Sequence, residues 1–250
     1  MKVLVVMPAY NEADGIANFI EELHKTFSAE KILVSYHVQD DASTDATINV
    51  LCNVRQRLNI NMSVVSNERN LGHGPTSLRA LSFGAHSDAD LVLHIDGDGQ
   101  FSADDILHVV RVCMESGKAV VGQRVARSDP YYRHYITKGL RLWVSVLARN
   151  FGVKDPNSPL RIQTRQDLQQ FLEIAPSNSM IPSVWWSVYH IRGGSIQYVP
   201  VTSRDRRGSN SVGTMWGKGR TMKILPPRRL LLFSFSAFRE SFKILRMRNE

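Results

Sequence analysis

The sequence predicts an α/β protein with a mainly parallel sheet and helices packed on its faces. Three observations lead there. Short apolar runs of strand type alternate with segments of helical periodicity about ten to fifteen residues long, the pattern of right-handed βαβ units. The first run, Lys2 to Met7, is apolar along nearly its whole length and reads as a buried strand. Polar clusters at 8–12, 39–45 and 96–100 each follow a strand end, the edge at which such sheets bind ligands.

In chain order, the first strand stops at Pro8-Ala9-Tyr10-Asn11-Glu12, and Ile16, Phe19, Ile20, Leu23 and Phe27 then recur at helical spacing. Lys31 to Gln39 reads as a second strand, ending in Asp40-Asp41-Ala42-Ser43-Thr44-Asp45, with a helix following as far as Arg57. Met62 to Ser66 is a third strand, Asn70-Leu71-Gly72-His73-Gly74-Pro75 a loop, and Thr76 to Ala85 a helix. Asp90 to Ile95 is the next strand. A helix opens after it at Ser102-Ala103-Asp104-Asp105, a capping-box pattern. Lys118 to Gly122 is a further strand. Tyr131 to Phe151 carries Leu140, Trp143, Val144 and Leu147 at i, i+3, i+4 and i+7, with Arg133, Lys138, Arg141 and Arg149 around them. That helix fits core packing or a membrane-skimming role.

Composition bounds the rest. At 250 residues the chain is long enough for one full α/β core with an appendage, and 43% apolar content excludes gross disorder. Cys52 and Cys113 fall in helix-like segments with neither metal spacing nor a disulfide framework. The apolar start is too short for a signal segment, and no run approaches the roughly 18 apolar residues of a spanning helix. The expectation is a cytoplasmic protein with no membrane-crossing part. Of its charge, residues 201–250 hold 12 Lys+Arg against 3 Asp+Glu, so the whole excess behind the net +8 sits in the last fifty residues. A basic tail on a near-neutral domain should meet an anionic surface. Nucleic acid is not expected, because no recognition motif for it is present.

The densest chemical signal is His94-Ile95-Asp96-Gly97-Asp98-Gly99-Gln100. Two carboxylates one residue apart stand where a buried strand becomes a glycine-loosened turn, and Gly97 and Gly99 let backbone and ligand approach closely. Hard oxygen ligands at that spacing suit Mg²⁺ or Mn²⁺ held between protein and a diphosphate. Two turn aspartates beside a strand would look the same; the other clusters decide between the readings.

Pro8-Ala9-Tyr10-Asn11-Glu12, Asp40-Asp41-Ala42-Ser43-Thr44-Asp45-Ala46-Thr47, Asn70-Leu71-Gly72-His73-Gly74 and Asp96-Gly97-Asp98-Gly99-Gln100 occur in the order seen in family-two glycosyltransferases. The sequence resembles that inverting, nucleotide-sugar-dependent family with its GT-A fold. Gly122-Gln123-Arg124 resembles the family's Gly-Ser-Arg at the next strand end. Within the family it is most similar to the dolichyl- or polyprenyl-phosphate sugar transferases, the dolichol-phosphate mannose synthase-like members. The resemblance implies a GT-A domain over 1–212, with a nucleotide-sugar-binding half at 1–125 and an acceptor half at 126–212. A basic amphipathic tail would follow at 213–250.

It also implies roles. Pro8, Ala9, Tyr10 and Glu12 would line the nucleoside pocket, with Glu12 accepting from ribose hydroxyls or base. Asp41 would meet the base edge, with Gln39 beside it. Asp96 and Asp98 would bind the Mg²⁺ or Mn²⁺ that bridges the diphosphate of a GDP- or UDP-sugar, with Gly97 in the donor-binding turn and Gln100 touching the same cluster. Arg124 would add a permanent positive charge near the phosphates or acceptor. On local chemistry alone, Tyr10 reads as core and Asp45 as a helix N-cap. His73 and His94 lack metal spacing and read as structural.

For the acceptor, Asp155-Pro156-Asn157-Ser158-Pro159-Leu160-Arg161 resembles the family's Asp-x-x-Ser-Gly-Phe-Arg, with Pro159 where glycine is usual and Arg161 a candidate for acceptor phosphate. The Glu-Asp pair that activates a sugar hydroxyl in other members has no counterpart in 177–190. A hydroxyl nucleophile needs a base worth about 10²–10⁴-fold in rate, whereas a phosphate monoester is already anionic. Gln197 to Val201 reads as a strand leading to Arg204, Arg206, Arg207, Gly208, Ser209, Asn210 and Ser211, close to the Arg-x-x-Gly-x-Ser of the polyprenyl-phosphate enzymes. Arg206 and Arg207 are the expected phosphate ligands, with Ser209 as helper.

Phe235, Phe238, Phe242 and Leu245 then form one apolar stripe, with Arg239, Lys243 and Arg246 on another face. This reads as an interfacial anchor or as a helix docked on its own domain or a partner. The expectation is a metal-dependent transferase moving a sugar from a nucleotide donor to a polyprenyl phosphate, peripherally attached to the cytoplasmic face of a membrane. The alternatives are a relative acting on a sugar or glycan hydroxyl and a silent nucleotide-binding scaffold.

Overall fold

The structure, a computed structural model, describes residues 1–126, 131–204 and 236–246, and the side chains of all of these except 126, 131–136 and 246. Strands β1 (Lys2–Ala9), β2 (Leu33–Asp40), β3 (Met62–Ser66), β4 (Leu91–His94), β5 (Ala119–Ala126), β6 (Arg161–Thr164) and β7 (Ile196–Thr202) form one seven-stranded sheet in the order β3-β2-β1-β4-β6-β5-β7. Only β6 runs against its neighbours; the other pairings are parallel. This is the α/β architecture with a mainly parallel sheet that the sequence predicts.

Helices α1 (Ile16–Ala29), α2 (Thr47–Leu58) and α4 (Ala103–Ser116) cover one face, and α3 (His73–Ala85), α5 (Tyr131–Ala148), α6 (Arg165–Ile174) and α7 (Pro182–Arg192) the other. The period-2 alternation of β1 explains why its sequence is apolar throughout. Val3, Val5 and Met7 enter the core under α1, α2 and α4, while Leu4 and Val6 enter the core under α3, α5 and α7. Ser102 caps α4 by accepting from the Asp105 amide at 3.2 Å, as the capping pattern predicts. Helix α3 begins at His73, three residues before the expected Thr76. Pro75 is acceptable in a first helical turn, where no intrahelical bond needs its missing N–H.

Register collects the strand ends at one edge. Pro8 and Ala9 pair with Gln39 and Asp40, and Val6 pairs with His94. Reversed β6 then places Arg161, its first residue, opposite both His94 and Val121. The chain therefore changes direction of travel across the sheet at β1, with β2 on one side and β4 on the other, which is the switch point where open α/β sheets bind ligands.

The segment 236–246 is helical, with a 3-10 turn at Phe242–Arg246. It lies on the second face. Ile244 is fully buried in that core, Trp143 Nε1 donates to Ser241 Oγ at 2.8 Å, and Trp185 Nε1 and the Met180 amide donate to the Glu240 carboxylate at 3.0 Å each. Of the two expectations for this tail, docking on its own domain describes Glu240, Ser241 and Ile244. The phenylalanine stripe is a separate, outward side: Phe238 and Phe242 are 47% and 45% exposed.

Candidate active site

The loops after β1 and β2 are knitted into one wall. Asn11, at φ 55, donates its amide to Ser43 Oγ at 2.9 Å and accepts from the Thr44 amide at 2.8 Å through Oδ1. The Glu12 amide donates to Thr47 Oγ1 at 2.9 Å, and the Ala13 amide to Asp45 Oδ2 at 3.2 Å. Asp45 is thus no N-cap. Ala46 holds that position, and Asp45, one residue before it, accepts from the Thr47 amide while holding the neighbouring loop. Asp40, fully buried, accepts from the Ser43 hydroxyl and amide and from Ser66 Oγ, which fixes the sharp bend at Ala42, whose φ is 59. Pro8, Ala9 and Glu12 are buried along this wall and Tyr10 is half-buried, so the ring is not core in the way Tyr36 is.

Asp41 is the organiser of the next loop. Its Oδ1 accepts from the Leu71 amide at 2.7 Å and Asn67 Nδ2 at 2.8 Å, and its Oδ2 from the Gly72 amide at 2.9 Å. Asn67 in turn accepts from Gln39 Nε2 at 3.0 Å and Arg79 Nη1 at 2.8 Å, so Gln39 lies two bonds behind Asp41, through Asn67, in a buried polar chain. Asn67 was not anticipated; a polar residue directly after a strand is the one signal that marks it.

The turn after β4 passes over β1. The Ile95 amide donates to the Val6 carbonyl at 3.1 Å and the Gly97 amide to the Pro8 carbonyl at 3.4 Å, and a Cβ at Gly97 would stand 3.1 Å from Ile16 Cδ1. Asp98 Oδ1 accepts from the Gln100 amide at 3.2 Å, which shapes the turn around Gly99 at φ 66. Among the described residues, Asp96 Oδ1 is sealed from solvent and accepts no hydrogen bond, and His73 Nε2 lies 3.7 Å from it. His73 was expected to be structural. Its position at the start of α3 brings it to the carboxylate, a contact that sequence spacing cannot reveal.

A carboxylate oxygen left without a donor is costly unless a cation completes it, so the Asp96–Asp98 turn fits a divalent metal by the chemistry of its donors. Among the described residues no group of three His, Cys, Asp or Glu side chains converges. The two aspartates would therefore share such an ion with the oxygens of a ligand, as Mg²⁺ and Mn²⁺ sites at diphosphates do.

Arg124 and Arg161 are both turned inward. Arg124 Nε and Nη2 hold Asp155 Oδ2 and Oδ1 at 2.8 Å each, and Nη2 also donates to the Asn157 carbonyl at 2.8 Å. Arg161 is 5% exposed, stacks 5.2 Å over Trp186 and donates Nη2 to the Pro156 carbonyl at 3.0 Å. Burial lowers its pKa to about 10, against the opposing charges of Asp155 and Asp96. It faces a cavity between α3, α7 and the sheet, lined also by Ser77, His94, Gln163 and Ser183, with room for about one water molecule. Burial likewise drops His94 to about 4, so its imidazole is neutral at pH 7 while Nδ1 faces the Pro159 carbonyl at 3.0 Å. Ser158 Oγ donates to the Gly122 carbonyl at 2.6 Å and orders the turn around Pro159 without a glycine.

β7 ends beside the turn at 96–100: the Arg204 amide donates to the Gln100 carbonyl at 2.8 Å. Arg206, Arg207 and Ser209 lie outside the described residues, as does Phe235.

The family model described as Glycosyl transferase family 2 matches residues 4–180. Undecaprenyl-phosphate 4-deoxy-4-formamido-L-arabinose transferase of Photorhabdus laumondii is 26% identical over 186 residues, which is 72% of this chain and 54% of that protein. The chain thus spans about half the length of this curated relative. Among solved structures, glucosyl-3-phosphoglycerate synthase of Mycobacterium tuberculosis with Mn²⁺, UDP-glucose and phosphoglyceric acid superposes with a TM-score of 0.66 at 17% identity, covering 100% of this chain and 81% of that one. Mannosyl-3-phosphoglycerate synthase of Rubrobacter xylanophilus gives a TM-score of 0.67 at 19% identity, covering 98% and 74%.

Proposed function

The chain belongs to glycosyl transferase family 2, and from that premise we propose that it moves a sugar, with inversion, from a UDP- or GDP-sugar to a polyprenyl phosphate at a membrane surface. The observation that carries the donor half is Asp96 Oδ1, which has no hydrogen-bond partner among the described residues and lies in a turn shared with Asp98. Bound there, Mg²⁺ or Mn²⁺ would neutralise charge growing on the departing nucleoside diphosphate. Asp96 and Asp98 would hold that cation in place; Pro8, Ala9, Tyr10 and Glu12 would line the nucleoside; Asp41 fixes the Leu71–Gly72 backbone beside it. Gly97 keeps the turn close to β1, and Gln100 anchors the strand end that leads to Arg206, Arg207 and Ser209. Those three side chains are assigned to the acceptor phosphate.

Two observations favour a lipid phosphate as acceptor. The curated relative's name states undecaprenyl phosphate. Asp155, a carboxylate of the acceptor half, has both oxygens on Arg124, an unsuitable state for a base that must take a hydroxyl proton. A phosphate oxygen can attack the anomeric carbon without one. Arg124 and Arg161 then act behind the site, as a buried tie and a buried counter-charge.

The test is transfer from radiolabelled UDP- and GDP-sugars to polyprenyl phosphate in detergent with Mn²⁺, followed by organic extraction. Label in the organic phase supports the reading. Label only in a water-soluble glycan or in phosphoglycerate, added as competing acceptors, overturns it.

A further inference from the structure

Two elements far apart in sequence leave their apolar sides exposed next to each other. Of the stripe predicted on α5, Val144 and Leu147 are fully buried and Leu140 and Trp143 half-buried, yet Leu142 and Val146, one turn apart, are 60% and 47% exposed. Trp143 lies between that outward strip and the C-terminal helix. Its ring centroid is 4.9 Å from Phe238 and 5.7 Å from Phe242, and its indole N–H is bonded to Ser241. Leu245 is 51% exposed one turn further on. Trp143, on the same helix as Leu142 and Val146, therefore forms a seam with Phe238 and Phe242.

Charge borders this seam with one sign. Lys138, Arg141, Arg239 and Lys243 are exposed on the same two elements. α5 contains no acidic residue, and the one acid of 236–246, Glu240, is turned inward onto Ser179, Met180 and Trp185. An apolar strip edged by cations matches a bilayer surface with anionic headgroups, where phenyl, indole and aliphatic groups sit among acyl chains and ammonium and guanidinium groups reach phosphate.

We propose that the outward sides of α5 and of the helix at 236–246 form one composite surface that docks the protein onto an anionic lipid bilayer. The seat of the second helix gives this surface its rigidity. Ile244, Ser241 and Glu240 fix the helix to the domain, so Phe238, Phe242 and Leu245 are presented at a set angle to Leu142 and Val146. The surface rests on the reading of a membrane-bound acceptor given above, and names where the membrane would lie.

The test is co-sedimentation of the full chain with vesicles of phosphatidylcholine alone and of phosphatidylcholine with phosphatidylglycerol. The chain should bind the mixed vesicles, more weakly as salt rises. Leu142→Glu with Val146→Glu, both at exposed positions, should weaken binding at least tenfold while circular dichroism is unchanged. Arg239→Glu with Lys243→Glu should weaken it roughly fivefold per cation. Failure of the wild-type chain to bind mixed vesicles, or wild-type binding by both folded variants, overturns the proposal. So does a concentration-dependent dimer that Leu142→Glu with Val146→Glu dissolves, which would make the face a contact between copies of the chain. Sugar transfer to polyprenyl phosphate in detergent does not need this surface, so transfer by a wild-type chain that fails to bind mixed vesicles would sink the docking surface alone. Vesicle binding without any lipid-linked product would sink the acceptor assignment alone.

Discussion

Arg124 and Asp155 grip each other through two parallel bonds of 2.8 Å, with the Arg124 side chain 9% exposed and that of Asp155 8%. The pair ties the end of β5 to the connection that enters β6. A family motif that suggests a phosphate-facing arginine at this position has here a guanidinium already committed to a carboxylate.

Removing one partner of a buried pair strands the other charge. Asp155→Ala should therefore cost about 3 kcal/mol of unfolding free energy, measured by urea denaturation. A loss under about 1 kcal/mol would mean that Arg124 finds water or a ligand instead.

Asp41 offers a second case in which a predicted nucleoside contact is first a structural acceptor. Asp41→Asn turns an N–H₂ toward at least one of the donors Leu71 N, Gly72 N and Asn67 Nδ2. The expected cost is about 2 kcal/mol, together with loss of stabilisation by added nucleoside diphosphate in a thermal-shift measurement. Unchanged stability in the Asn variant would show that the loop is held by other means.

Much of this arrangement is legible in the sequence because it depends on local rules. Apolar runs ending in polar clusters place three loops at one sheet edge, and Asp96-Gly97-Asp98 falls where β4 stops. Other parts depend on contacts between distant segments. β6 is only Arg-Ile-Gln-Thr, too short and too polar to announce a strand, yet it takes the reversed place between β4 and β5. The Arg124–Asp155 tie and the approach of His73 to Asp96 both follow from that packing. The tail's apolar pattern shows Phe238, Phe242 and Leu245 but hides that Ser241 and Ile244 face the domain, because a helix with two unlike apolar sides has no single stripe.

Three buried imidazoles give the fold an acid-sensitive term. Burial lowers His37 and His94 to about 4 and His190 to about 3, with Arg161 adding to the last. Unfolded, each binds a proton near the ordinary value of 6.5, so between there and the folded value the unfolded chain holds more protons. Their contribution is complete above pH 6.5 and is lost as pH falls toward 4, by about 1.4 kcal/mol per pH unit for each imidazole. Urea denaturation at stepped pH should show stability dropping over this window, with a shallower slope in His190→Gln. A flat profile between pH 6.5 and 4 would contradict the burial of these groups.

Asp96 and Asp98 are central to the proposed function, in which a cation held there would make a nucleoside diphosphate both a ligand and a leaving group. The direct measurement is the thermal shift produced by UDP and by GDP, with and without Mn²⁺, in the wild-type chain, Asp96→Ala and Asp98→Ala. One nucleotide should stabilise the wild-type fold by mass action only when Mn²⁺ is present, and neither variant should respond although both remain folded. A full Mn²⁺-dependent shift in Asp98→Ala, or a wild-type shift that ignores the metal, would contradict it.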